Sequence, residues 1–216
     1  MNTNMKKVYM IWVVVVLACQ MLSAQQAELH KAAEHFRGIR SLKMNVVQTR
    51  HNVTLIKDII TSGHFFYQEP NRCSMVFPDA KEMLLAVDDT FVMVRDGKQH
   101  VAKAKGQGNN PFEVLSDVFH KLLSADENVD LSEYADVKLS RQGNSCTITI
   151  FPKEKNIKSK RRMMYTSCIV IVDLKAAELR SVRIYERGEN YTQYDFSNYI
   201  INAEIDTNAF DVQAMM

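Results

Sequence analysis

The sequence predicts a mainly β fold: a strongly curved antiparallel sheet of about 11 strands with two or three helices on one side, either closed into a barrel or left as an open one. Three observations carry this. Short segments rich in β-branched and aromatic residues, separated by turn residues, fill most of the chain beyond residue 41. Helical periodicity occurs at only two places, with room for a short third segment at 128–134. With 4 prolines and 7 glycines in 216 residues, no flexible linker divides the chain. A flat sheet of so many strands is unusual, so the sheet must curl. Full closure would remove its edges, and an open barrel plugged by its helices meets the same pattern.

The chain begins with a basic head ending in Lys6-Lys7, followed by an unbroken apolar run from Val8 to Cys19 and then Gln20-Met21-Leu22-Ser23-Ala24. The run is shorter than the roughly 20 residues a membrane-spanning helix needs, and it suits the core of a signal peptide. Residues 1–24 are therefore read as a cleaved signal, residues 25–216 as one domain, and the periplasm as its location. Val16-Leu17-Ala18-Cys19 resembles a lipobox, which leaves open a lipid anchor through Cys19. Loss of Lys6 and Lys7 brings the 27 basic residues down to match the 25 acidic ones. A formally neutral protein without a basic, aromatic-studded stripe is not expected to bind nucleic acid.

Gln26 to Arg37 carries Leu29, Ala33 and Phe36 at helical spacing before Gly38, and is read as a helix. Strands are predicted at about 41–50, 53–67, 72–77, 82–87, 90–95 and 98–104, with turns at Gln68-Glu69-Pro70-Asn71, Pro78-Asp79, Asp88-Asp89 and Asp96-Gly97. Asn110-Pro111-Phe112-Glu113 opens a second helix with an N-cap, a first-position proline and an early acid. Leu115, Val118, Phe119, Leu122 and Leu123 form its apolar stripe. Five more strands follow at about 135–141, 145–153, 164–173, 179–187 and 191–200.

Several strands carry apolar residues in both phases: Val53, Leu55, Ile59, Phe65 and Tyr67 against Ile56, Ile60 and Phe66, and Phe91 and Met93 against Val92 and Val94. Both faces of these strands are expected to be covered. Eight of the 12 methionines follow residue 24, among them Met44, Met75, Met83 and Met93. Such adaptable side chains suit an irregular binding surface and suit a core equally.

No chemistry-bearing motif emerges. The histidines at 30, 35, 51, 64, 100 and 120 lack metal-site spacing, and no nucleophile elbow, phosphate loop or dinucleotide glycine pattern is present. The chain is read as a binding protein and not an enzyme, with no cofactor and no metal. Lys153, Lys155, Lys158, Lys160, Arg161 and Arg162 crowd one predicted hairpin, either a solvated tip or a contact for anionic lipid or an acidic partner. Cys146 and Cys168 lie symmetrically about Ile157, each in phase with an apolar face, and are expected to face one another. Both a disulfide and two buried thiols fit that placement.

Spread along the chain are Val46-Val47-Gln48, then Gly63 with Phe65, Tyr67 and Pro70-Asn71, then Glu82 to Asp88, then Asn109-Asn110-Pro111-Phe112. The ending runs from Tyr191-Thr192-Gln193-Tyr194-Asp195-Phe196-Ser197-Asn198 through Asn202-Ala203-Glu204-Ile205-Asp206 to Phe210. In order and spacing these resemble the periplasmic outer-membrane lipoprotein carrier family, LolA, and more closely its LolA-like branch. The resemblance implies an unclosed barrel of about 11 strands holding lipoprotein acyl chains between a concave apolar face and covering helices. It also implies a monomer acting as a chaperone in protein transport, taking cargo from an inner-membrane release complex to an outer-membrane acceptor.

Candidate lipid-binding residues are Met44, Val46, Phe77, Leu84, Leu115, Phe119 and Leu122 by periodicity, with Cys73 and Met75 from the family alignment. This chain departs from the family pattern in having Glu69 where an arginine precedes the proline turn, and Met75 where a tryptophan stands in the next strand. Other readings of the same scaffold are a carrier of a different acyl lipid and an envelope interaction protein whose apolar inventory is only core.

Overall fold

The computed structural model describes residues 36, 38–88, 90–103, 135–153 and 165–215. Eleven strands form one antiparallel sheet: β1 Ser41–His51, β2 Ile59–Gln68, β3 Arg72–Phe77, β4 Glu82–Val87, β5 Thr90–Arg95, β6 Lys98–Lys103, β7 Ala135–Gln142, β8 Ser145–Pro152, β9 Ser167–Asp173, β10 Glu178–Tyr185 and β11 Tyr191–Ile201. Their order is β6-β5-β4-β3-β2-β1-β11-β10-β9-β8-β7, so two meanders meet where β1 pairs with β11. β6 and β7 lie at opposite edges and the sheet is not closed. The chain from 104 to 134 joins those two edges. Apart from Phe36, the predicted helices, at Gln26–Arg37, from Asn110 onward and at 128–134, fall outside the described residues, as does most of the basic hairpin, of which Lys153 pairs with Asp136 at 3.3 Å.

Strict alternation makes each strand two-faced. On one face, successive buried positions are Leu42, Met44 and Val46 of β1, Phe65 and Tyr67 of β2, Met75 and Phe77 of β3, and Tyr194 and Phe196 of β11. On the far meander, Cys146, Ile148 and Ile150, then Cys168, Val170 and Val172, then Leu179, Val182 and Ile184 continue the same cluster. This face is the inside of the curl. In a flat sheet, residues on β3 and β11 would stand three strand spacings, about 14 Å, apart. Here the ring centroids of Phe77 and Tyr194 are 6.4 Å apart.

Gly63 makes that approach feasible. It lies on the concave face between Val46 and the strand carrying Phe77, and a Cβ there would stand 2.2 Å from the Val76 carbonyl oxygen and 2.6 Å from the Phe77 ring. With no side chain at 63, the Phe77 ring folds over β2. Two irregularities add local bend and twist: register shifts between Lys43 and Asn45 against β11, and between Leu179 and Ser181 against β9.

Among the described residues, cover on the convex face lies over β2 to β5. Val76, Met83, Leu85 and Val94 form a second cluster there, with Phe66, Val87 and Val92 beside it and Phe210 and Val212 from the C-terminal segment packed on top. The 3-10 turn Thr207–Phe210 is held by Asp206, whose carboxylate accepts from the Asn208 amide at 2.9 Å, and Ser74 Oγ donates to the Ala209 carbonyl at 2.6 Å. Tight hairpins follow the predicted turn chemistry; Asp96 and Gly97 both have positive φ, 52° and 68°, as a two-residue hairpin of the I′ type requires.

Two expectations are corrected. Residues 53–58 are not strand, and the first apolar run is not covered on both sides. Val53, Leu55, Ile59 and Ile60 are exposed and Ile56 is fully so, because the chain leaves the ladder after His51 and resumes at Ile59. Nor do Cys146 and Cys168 face one another: Cys146 pairs with Val172, and Cys168 with Ile150. The pairing is displaced by four residues from symmetry about Ile157. An even displacement keeps both cysteines on the concave face but puts them on the order of 13 Å apart along the strands, beyond disulfide reach. Neither is in a disulfide.

Gly63→Val should therefore destabilise the fold by about 2–3 kcal/mol or more, since neither a backbone carbonyl nor a fully buried ring can give way cheaply. Thermal unfolding should show a loss of roughly 5 °C or more; an unchanged midpoint would mean that the Phe77 approach does not hold the curl.

Candidate functional site

Cross-strand register arranges the concave face in rows. One row runs Met44, Phe65, Met75, Leu84, Met93 across β1 to β5; the next runs Leu42, Tyr67, Cys73, Ala86, Phe91. A third begins Val46, Gly63, Phe77 and ends in Glu82 and Arg95. Of the sequence-predicted lipid-binding residues, Met44, Val46, Met75 and Phe77 are buried in one cluster, with Cys73 and Leu84 partly buried against it. The structure thus brings six together on one face. Leu115, Phe119 and Leu122 lie outside the described residues. The cluster reaches well beyond the predicted set, to Phe65, Tyr67, Phe196 and the aliphatic rows of β8 to β10. Phe65 and Phe196 pack edge to face at 5.7 Å.

Burial sets the chemistry of the polar atoms in these rows. The Cys73 thiol is pushed up to about 12 by desolvation, and so is that of Cys168. Tyr67 is also raised to about 12, chiefly by burial, with the nearby Glu69 carboxylate adding to the effect. These groups stay neutral, and the face stays apolar at physiological pH.

One end of the face is different. Gln48, 1% exposed, donates from Nε2 to the Tyr194 hydroxyl at 3.3 Å. Glu82 is buried between two arginines: Arg50 Nη2 from β1 hydrogen-bonds to its Oε2, and Arg95 Nε from β5 to its Oε1 at 2.9 Å. Tyr194 is raised to about 12, mainly by burial; the Gln48 hydrogen bond and the charges of Arg50 and Arg95 oppose that rise, and Glu82 adds to it. None of these was predicted as a binding residue from sequence, although the signal was present. Gln48 and Arg50 continue the phase of Met44 and Val46, Glu82 that of Leu84, and Arg95 that of Phe91 and Met93.

No group of three or more potential metal ligands occurs among the described residues. No helix among them is long and apolar enough to cross a membrane.

The unclosed antiparallel sheet with an apolar inner face agrees with what the resemblance to the lipoprotein-carrier family implies. The chain belongs to that family: the sequence profile described as outer membrane lipoprotein carrier protein LolA matches residues 37–213. A comparison with curated protein sequences gave no match. Among solved structures, the chain is similar to a DUF1329 family protein from Desulfovibrio piger, 12% identical, covering 91% of this chain and 99% of that one with a TM-score of 0.48. It is similar to a LolA superfamily protein from Nitrosomonas europaea, 7% identical over 87% and 97% of the two chains, TM-score 0.42. A third is the lipoprotein LppX of Mycobacterium tuberculosis, 13% identical over 85% and 98%, TM-score 0.39.

Thiol chemistry checks the burial of this face. Only thiolate reacts with iodoacetamide, so at pH 8 native Cys73 and Cys168 should be alkylated roughly a thousandfold more slowly than an ordinary exposed thiol. Both should label fully after unfolding, with equal product masses whether or not reductant was used first. Rapid native labelling of Cys73 would place its row in contact with water.

Proposed function

We propose that the protein is an extracytoplasmic carrier that binds acyl chains against its concave face, with lipoprotein acyl chains as cargo and transfer towards the outer membrane as the task. In this reading residues 1–24 are removed as a signal, residues 25–216 act as one domain in the periplasm, and the partners are a release complex at the inner membrane and an acceptor at the outer membrane. The observation that carries it is the apolar concave face, continuous from Ile150 on β8 to Met75 on β3 in a member of the lipoprotein carrier family.

The physical argument is one of area. Each methylene taken out of water contributes about 0.8 kcal/mol, so partial insertion of one acyl chain already gives appreciable affinity. Met44, Val46, Cys73, Met75, Phe77 and Leu84 would form the floor, and Leu115, Phe119 and Leu122 a cover, in the segment that joins the two sheet edges. Release is the harder requirement. Methionines and unlinked aliphatic rows can repack when cargo leaves, without a rigid site that grips one shape.

A fluorescent fatty-acid probe should bind saturably to the folded protein and be displaced by an acylated lipopeptide; a folded protein without saturable binding would refute the carrier reading. Met75 distinguishes a loading surface from a permanent core. Met75→Glu should remain folded and bind the probe at least about tenfold more weakly, because an opening face lets the carboxylate keep its water while loading must strip it. Collapse of thermal stability in this variant would assign Met75 to a sealed core instead.

A further inference from the structure

We propose that the cluster Arg50, Glu82, Arg95 and Gln48, at one end of the concave face, binds the anionic head of an acyl lipid, a carboxylate or phosphate, while the chain lies along the apolar rows. This rests on the carrier reading and adds a chemical class to its cargo.

Four features of the cluster point to a ligand. Among the described residues, two guanidiniums share one carboxylate, which leaves a positive charge beside an apolar surface. A surplus charge held partly out of water is best balanced by a counter-charge. Among the described residues, Arg50 Nε, although buried, has no hydrogen-bond partner, and neither does Gln48 Oε1. Buried polar atoms are ordinarily paired, and two orphans on one face two residues apart require a reason. An anionic oxygen supplies the acceptor that Arg50 lacks, and a hydroxyl on the head or an accompanying water supplies the donor that Gln48 lacks.

Access is the third feature: side-chain exposure rises from 9% for Glu82 to 23% for Arg50 and 44% for Arg95, so the cluster opens outward through Arg95. Position is the fourth. Glu82 and Arg95 terminate the row that begins Val46, Gly63, Phe77, and Arg50 lies one step beyond Gln48 in the phase of Met44 and Val46. A chain lying against Met44, Met75 and Phe77 therefore ends at the guanidiniums. Charge-assisted hydrogen bonds from arginine are short and directional, and its planar fork matches a carboxylate or phosphate.

The test compares ligands of equal chain length by displacement of an uncharged fluorescent lipid probe from the full protein at pH 8. A long-chain fatty acid should compete at least about tenfold better than the corresponding alcohol, and a lysophosphatidic acid better than the monoacylglycerol. Arg95→Gln should remove most of the advantage of the acids and leave the alcohol unchanged. Glu82→Gln should strengthen acid binding, because it frees both guanidiniums from their internal carboxylate; a purely structural ion pair gives no such gain. Thermal unfolding of both variants confirms that folded proteins are compared. Equal competition by acid and alcohol, or an Arg95→Gln variant that weakens both alike, overturns the head-group site while leaving the carrier reading intact. If inorganic phosphate alone displaces bound fatty acid as well as a lysophosphatidic acid does, the site serves a free anion and the lipid assignment is wrong. Absence of binding by every lipid would overturn the carrier reading and this inference with it.

Discussion

The approach of Phe77 to Tyr194 across two intervening strands is the constraint on which the remaining architecture depends. It needs Gly63 beneath the ring, and it pulls β3 towards β11 over β2 and β1. Once those four strands are curled, side chains that a flat sheet would hold apart become neighbours. Arg50 on β1 reaches Glu82 on β4, and the aromatic residues Phe65, Phe77, Tyr194 and Phe196 share one volume. The concave face is thus a product of one missing side chain at least as much as of the hydrophobic ones around it.

The two faces of the curled sheet are treated asymmetrically. Outside, the C-terminal segment lays Phe210 and Val212 over Val76, Met83, Leu85 and Val94, anchored by the Ser74 hydroxyl. That cover is local, and it backs the strands that contribute Met75 and Leu84 to the inside. The convex side of β10 and β11 is polar, with Arg183 donating to Gln193 and stacked over Tyr191, and Gln193 in turn donating to Asp195. Adaptable inner rows thus rest on an outer layer fixed by packing at one end and by a polar ladder in the middle.

Strand positions were legible because period-two alternation and turn residues both act locally. The ends of β3, β4 and β5 fall where Pro78-Asp79, Asp88-Asp89 and Asp96-Gly97 break the pattern. The stretch from Val53 to Ile60 misled because it is apolar in both phases and so carries no period, while what decides it, departure from the ladder after His51, is set by pairing with β11 and β2. The register of β8 on β9 was likewise hidden. A phase can be read from sequence, but a displacement by four residues keeps the phase and changes every partner. Of the candidate site, the apolar members were legible as alternation. The phase of Arg50, Glu82 and Arg95 was legible too, but their meeting was not, because the curl brings them from three strands to one place.

That cluster changes how binding to such a face should be understood. Apolar area alone makes affinity grow with chain length and gives no preferred direction, so a chain can slide or reverse within a smooth trough. A fixed charge at one end breaks the symmetry. On the proposed reading it would contribute modestly to affinity, because the anion must shed water to reach it, but would hold one terminus of the ligand at Arg50 and Arg95 and leave the other at Tyr67 and Cys73. Orientation matters for transfer, since a receiving surface must meet the same end of the cargo each time. Glu82 tempers the attraction by occupying both guanidiniums when no ligand is present, so the arginines neither repel one another nor hold every passing anion. An internal carboxylate that competes with the cargo for the same donors favours release as well as capture, which is the balance a reversible carrier requires.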